Sequence, residues 1–180
     1  MPSGGAYIMN KNFSGNVIKY GDDINTDVII PTKFCNSTDL EYLGKHCLHN
    51  LDENFVNKRK IGDILVVGRN FGCGSSRENA PLAIKGSGIS CVIAKSFARI
   101  FFRNAINIGL PVIENSCIVD DAEEGDVLEV DFNSNTCKNI TKQKEYEISV
   151  YSDIMHKIFE EGGLIDYIRN GGEIWNLMNY

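Results

Sequence analysis

Short apolar blocks, most of them rich in Val and Ile, alternate along the chain with polar segments carrying glycine, proline or asparagine. That spacing predicts alternating strands and helices, not long amphipathic runs. Residues 15–20 and 27–30 read as short strands, the second ended by Pro31, and the polar stretch 32–38 as a candidate mobile loop. Thr38 or Asp39 is placed to cap a helix reaching about His49, with Leu40, Leu43 and Cys47 on one buried face. Residues 61–67 predict a strand, 68–78 a glycine-rich loop and 80–85 a helix. The pattern then repeats with a strand at 89–94, a helix at 96–108 stopped by Gly109, and a strand at 110–113. Such a β-α-β-α-β order implies parallel strands joined by right-handed crossovers, hence an α/β fold. After an acidic loop, strands at 127–132 and 136–140 flank Asn133-Ser134-Asn135, a hairpin turn in which Asn tolerates positive φ. A last amphipathic helix, 152–161, runs into Gly162-Gly163, with a further short helical piece around Trp175.

Composition narrows the class. A chain of 180 residues suits one domain, and 43% hydrophobic with 23% charged residues is ordinary for a soluble globular protein. No run approaches the roughly 20 apolar residues of a membrane span. The net charge of -6, without any run of Lys and Arg, argues against a nucleic-acid partner. Six cysteines stand singly with no C-x-x-C pair, so they read as reduced thiols and not as a zinc or cluster site, and no metal is expected on this chain. Residues 1–13 lack a secretory core and a transit-peptide pattern, which places the chain in the cytoplasm by default. Residues 1–14 are set aside as a leader, extension or expression scar, with Met9 a candidate natural start, and 15–180 as the domain.

The densest chemical signal is Asn70-Phe71-Gly72-Cys73-Gly74-Ser75-Ser76-Arg77-Glu78, between a strand and a helix. Glycines admit a ligand close to the backbone, helix-terminal N–H groups point outward, and two hydroxyls and a guanidinium add donors suited to a carboxylate or phosphate. The third glycine of a dinucleotide fingerprint and the Lys of a phosphate loop are both missing, which weakens nucleotide readings. The bland alternative is a capping box, Ser75-x-x-Glu78, with Arg77 in a surface ion pair. Pro81 bears on the choice, because a helix beginning at Ser75 would carry it past the first turn. A start nearer Asn79 leaves Ser75 and Ser76 in the loop.

This nonapeptide, followed by Lys95-Ser96-Phe97-Ala98-Arg99-Ile100, resembles the swivelling domain of aconitase-type hydro-lyases. Asp22 to Pro31 and Phe102 to Pro111 extend the resemblance to the small subunits of isopropylmalate isomerases, from about Gly15 to Tyr167. The resemblance implies a β/β/α swivelling domain with a mixed sheet and flanking helices. Ser75 would act as an alkoxide base toward the proton alpha to a carboxylate, with Ser76, Arg77 and Gly74 holding substrate. A [4Fe-4S] cluster would belong to a separate large subunit, in a heterodimer or heterotetramer active on a small hydroxy-dicarboxylate. A serine hydroxyl is a poor base in water, so this division of labour needs a dry, electropositive site and a metal to ease hydroxide departure.

Two departures follow from the same comparison. The family motif continues Arg-Glu-His, where this chain has Arg77-Glu78-Asn79, and Asn cannot change charge near neutral pH. In relatives an Arg in a Tyr-Leu-Arg-Thr loop suits a third carboxylate, whereas this chain has Phe34-Cys35-Asn36-Ser37. An unpaired third carboxylate in a closed site would cost several kcal/mol, which disfavours homoaconitate and citrate. Isopropylmalate fits, and dimethylmalate stays open. Phe34 and Cys35 either face a branched alkyl group or anchor the loop.

The remaining candidates read as structural. Cys73 reads as a small thiol filling a tight turn, Arg99 and Arg103 as surface ion-pair partners before anion ligands, and His46, His49 and His156 as isolated from any ligand pattern. The rival from another class is a stand-alone carboxylate- or phosphate-binding module, for which the glycine-rich turn alone would suffice.

Overall fold

The computed structural model describes residues 12–173, so the segment 1–11 and the helical piece around Trp175 lie outside the described residues. Seven strands form one mixed sheet in the order β4-β3-β2-β1-β5-β6-β7. Its parallel half holds β1 (Asn12–Lys19), β2 (Ile64–Val67), β3 (Cys91–Ala94) and β4 (Val112–Glu114). Strands β2 and β3 are buried along their whole length, which is why Ile-Leu-Val-Val and Cys-Val-Ile-Ala are continuous apolar runs. The antiparallel half holds β5 (Val127–Asp131), β6 (Thr136–Asn139) and β7 (Lys144–Glu147). There β5 alternates buried with more exposed positions, as a strand with one solvated face does. Strand β1 is the seam, pairing parallel with β2 and antiparallel with β5. Asn12, Phe13 and Ser14, set aside on sequence with the extension, pair with Asp131, Val130 and Glu129 and belong to the sheet.

Eight α-helices lie among the described residues, α1 (Thr26–Ile29), α2 (Leu40–Lys45), α3 (Phe55–Lys58), α4 (Asn79–Gly86), α5 (Arg99–Asn107), α6 (Ser116–Asp121), α7 (Asp153–Glu160) and α8 (Leu164–Arg169), and a 3-10 turn at Thr32–Phe34 opens the segment expected as a loop. The strand expected at 27–30 is instead α1. The side chain of Asn25 accepts the Val28 N–H and starts a helical turn, and this cap outweighs the β-branched Val-Ile-Ile run. The acidic stretch after Glu114 likewise holds α6, capped by Asn115. Asp39 caps α2 as expected, but Leu40 is exposed, so the buried face narrows to Leu43 and Cys47. The hairpin turn is as expected, with Asn135 at φ 53°.

Helices α2 and α4 cross almost backbone to backbone. A Cβ on Gly44 would lie 2.2 Å from the Gly86 carbonyl oxygen, and one on Gly86 would lie 2.0 Å from that of Leu40, so both positions require glycine. No helix among the described residues is long and apolar enough to cross a membrane.

Candidate active site

Beyond the carboxyl ends of β1, β2 and β3 the chain keeps pairing, and this continuation builds the site. Gly68 N–H donates to the Gly21 carbonyl (3.0 Å), Gly72 N–H to Ile24 (2.8 Å) and Thr26 N–H to Cys73 (2.8 Å). On the other flank Phe71 N–H donates to Ser96 and Ala98 N–H to Phe71. The glycine-rich turn is thus held between the segment after β1 and the segment after β3, at the carboxyl edge of the parallel strands, where open α/β sheets place ligands.

Within this cradle Asn70 (φ 55°), Gly72 (φ 76°) and Gly74 (φ 104°) reverse the backbone and bring Ser75 onto Thr26. Thr26 is buried, and its Oγ1 accepts the Ser75 N–H at 3.1 Å while lying 2.9 Å from Ser75 Oγ. With the backbone N–H already bound, the Thr26 hydroxyl proton is the one available to an anionic Ser75 Oγ. Either hydroxyl can donate in the neutral pair, and an anionic Ser75 Oγ would accept from Thr26.

Helix α4 begins at Asn79, with Glu78 preceding it and forming no side-chain cap, so Ser75-x-x-Glu78 is not a capping box. Pro81 sits within the first turn, where its missing N–H costs no intrahelical bond. Arg77 Nη1 donates to Asp27 Oδ1 at 2.5 Å, and Thr32 Oγ1 donates to the same oxygen at 3.1 Å. The Arg77 bond first, then that of Thr32, holds the Asp27 carboxyl below its ordinary value. The guanidinium is raised further above its own by Asp27. The Arg77 side chain stays partly exposed, and a fork of five N–H donors leaves others for a second carboxylate. Ser76 is exposed, and its carbonyl accepts from Asn104 Nδ2 of α5 at 3.2 Å.

The loop 34–37 lies beside this turn. Phe34 stacks on His46 with centroids 3.8 Å apart and planes 2° from parallel, and Cys35 packs partly buried against the core. Asn36 is exposed, and the Ser37 carbonyl accepts from Asn79 Nδ2 at 2.8 Å. Of the two readings of Phe34 and Cys35, these contacts match the anchoring one. Thr26, Asp27 and Asn104 were not singled out by sequence reasoning as parts of the turn, and Asn79 was noted only as a departure from the family motif. Their side chains meet it across 28 to 50 positions, except Asn79, which reaches back 42 to the loop. The one signal for the first two was their place in the Asp22 to Pro31 segment.

Cys73 is half-buried, and its carbonyl serves Thr26. Arg99 and Arg103 are exposed and form no ion pair among the described residues, so the expected surface pairing is not seen. His46 lies against Phe34 and Tyr42, His49 meets Phe34 edge-on, and His156 packs by Phe132 and Tyr151. No group of three or more His, Cys, Asp or Glu side chains converges among the described residues. Burial pushes the thiols of Cys47 and Cys137 up to about 12.

A cavity of about 430 Å³ lies elsewhere, at the amino ends of β2, β3 and β4, lined by Ile61, Gly62, Ile89, Leu110 and Lys85 among others. Two half-buried cations line it: Lys85, committed to the carbonyls of Ile108 (2.6 Å) and Gly162 (2.8 Å), and Arg59, whose Nε is buried without a hydrogen-bond partner among the described residues. The convergent hydroxyl, guanidinium and carboxylate groups are at the other edge of the sheet.

The Aconitase C-terminal domain family matches residues 8–116. The 3-isopropylmalate dehydratase small subunit of Caldanaerobacter subterraneus subsp. tengcongensis is 58% identical over 155 residues, covering 86% of this chain and 96% of that protein. Its counterpart in Clostridium acetobutylicum is 55% identical over 158 residues, covering 88% and 97%. The crystal structure of 3-isopropylmalate dehydratase (leuD) from Methanocaldococcus jannaschii aligns with a TM-score of 0.83 at 42% identity, covering 93% of this chain and 97% of that one.

Proposed function

This chain belongs to the aconitase C-terminal domain family and, within it, to the 3-isopropylmalate dehydratase small subunits, and on that premise we propose how its turn takes part in catalysis. The reaction is the interconversion of 2-isopropylmalate and 3-isopropylmalate, a step of leucine biosynthesis, by loss and return of water through isopropylmaleate. Ser75 Oγ takes the proton alpha to a carboxylate and returns one when water adds back with reversed regiochemistry. Thr26 donates its hydroxyl proton to Ser75 Oγ while that oxygen carries charge. Arg77, oriented by Asp27, holds a substrate carboxylate together with Ser76 and the backbone at Gly74. The observation that carries this reading is the 2.9 Å contact between Ser75 and buried Thr26 beside a guanidinium with donors to spare.

A partner chain completes the site. In this reading the cysteine ligands of the cluster belong to a large subunit, the partner that the name of the small-subunit relatives implies. When bound there, a [4Fe-4S] cluster supplies a Lewis acid for the departing hydroxide. The assembly is a heterodimer or heterotetramer, and the compartment is the cytoplasm, in keeping with cysteines that form no disulfide.

At the substrate's variable group Asn36 presents no positive charge, so a third carboxylate would be left unpaired. The test is reconstitution. The chain is mixed with its cluster-loaded large subunit and offered 2-isopropylmalate, 2,3-dimethylmalate and homoaconitate. Turnover that arises only on mixing, with isopropylmalate preferred, is expected. A preference for dimethylmalate or homoaconitate would move the assignment to a related dehydratase, and tight anion binding by the lone chain without turnover on mixing would favour a binding module.

A further inference from the structure

Both ends of the 32–39 segment are fastened to the substrate turn. At its start Thr32 Oγ1 and Arg77 Nη1 share Asp27 Oδ1, at 3.1 and 2.5 Å. Near its far end Asn79 Nδ2, in the first turn of α4, donates 2.8 Å to the Ser37 carbonyl. Between the two ties Phe34 rests on His46, Lys33 Nζ lies 4.8 Å from the Phe34 ring, and Asn36 is exposed. Helix α2, which follows the loop, is separately fixed on α4 by the close crossing at Gly44 and Gly86. The Asn79 amide thus governs the loop and not the packing of α2.

We propose that Asn79 is a positioning residue for substrate selection. Its side-chain amide holds the loop carrying Phe34, Cys35 and Asn36 at a fixed distance from Ser76 and Arg77. This inference rests on the reading of the turn as the substrate-carboxylate site. A primary amide donates at every pH, so the spacing between carboxylate grip and variable-group contact does not titrate. Because the tie sets where the substrate's outer part is met and leaves Ser75 untouched, its loss weakens substrate binding without slowing proton transfer.

The test uses Asn79→Asp, which keeps the shape and removes the donor, and Asn79→Ala. Each is assembled with the cluster-loaded large subunit for kinetics, and amide hydrogen exchange is followed on the full chain alone. Loss of one net hydrogen bond is expected to raise KM for isopropylmalate about tenfold, with kcat held within about twofold. Faster exchange confined to residues 33–38 is expected beside it. A fall in kcat at constant KM, or unchanged exchange at 33–38 in both variants, would overturn the proposal. An unaltered complex that fails to turn over isopropylmalate would instead count against the isomerase reading, and the exchange result would still decide whether Asn79 holds the loop.

Discussion

Thr26 has no charge and no motif of its own, yet its hydroxyl sits on both the N–H and the Oγ of Ser75. Thr26→Val keeps the shape and removes that oxygen. Turnover of the assembled enzyme is expected to fall about a hundredfold, the scale of losing one donor to a developing oxyanion. The orphaned Ser75 N–H should cost about 1–3 kcal/mol in denaturant unfolding. Gly72→Ala tests the turn itself, since a Cβ there would lie 2.2–2.5 Å from the Phe101 side chain on a backbone at φ 76°. Destabilisation of about 2–4 kcal/mol is expected. At this scale Ser75, Ser76 and Arg77 stood out as candidates because they are contiguous and chemically distinctive. Thr26 and Asp27 were not, because their roles depend on pairing between segments that only the folded sheet brings together.

At the scale of elements, the apolar strands and the two crossover helices were legible from blocks of Val, Ile and Leu. Short helices other than α2 were not. In α1 a single Asn25 cap decides against a β-branched run, and β7 is hidden because none of its four residues is buried. Two ties between elements yield tests. Lys85 bridges the carboxyl ends of α5 and α7 through the carbonyls of Ile108 and Gly162, and its burial lowers its pKa. Lys85→Met should lower stability by about 2 kcal/mol, the worth of hydrogen bonds to a charged donor, read from the urea midpoint. Asp126, at the start of the antiparallel half, is pushed up by burial but held below its ordinary 3.8 by the Asn139 amide, the Glu123 N–H and Lys142. A carboxyl depressed by folding stabilises above its unfolded value and loses that contribution as pH falls through the folded one. Stability should therefore drop below about pH 4, and Asp126→Asn should flatten that acid limb while costing stability at pH 7. An unchanged acid limb would remove Asp126 as its source.

Across the whole molecule, the parallel half of the sheet supplies the site at its carboxyl edge, and the antiparallel half closes the domain on the other side of β1. The α/β class and the glycine-rich turn could be read from the chain. The mixed sheet followed from family resemblance, because the switch of pairing at β1 leaves no mark in its own residues. Under the proposed function this chain offers half a reaction centre, a held hydroxyl and a guanidinium that a metal on another polypeptide would complete. The most direct measurement is isomerisation of 2-isopropylmalate by Ser75→Ala assembled with the cluster-loaded large subunit, with complex formation followed in the same sample. Turnover about a thousandfold below that of the unaltered complex, with assembly intact, is the expected result. Turnover within tenfold of the unaltered complex would contradict Ser75 as the base.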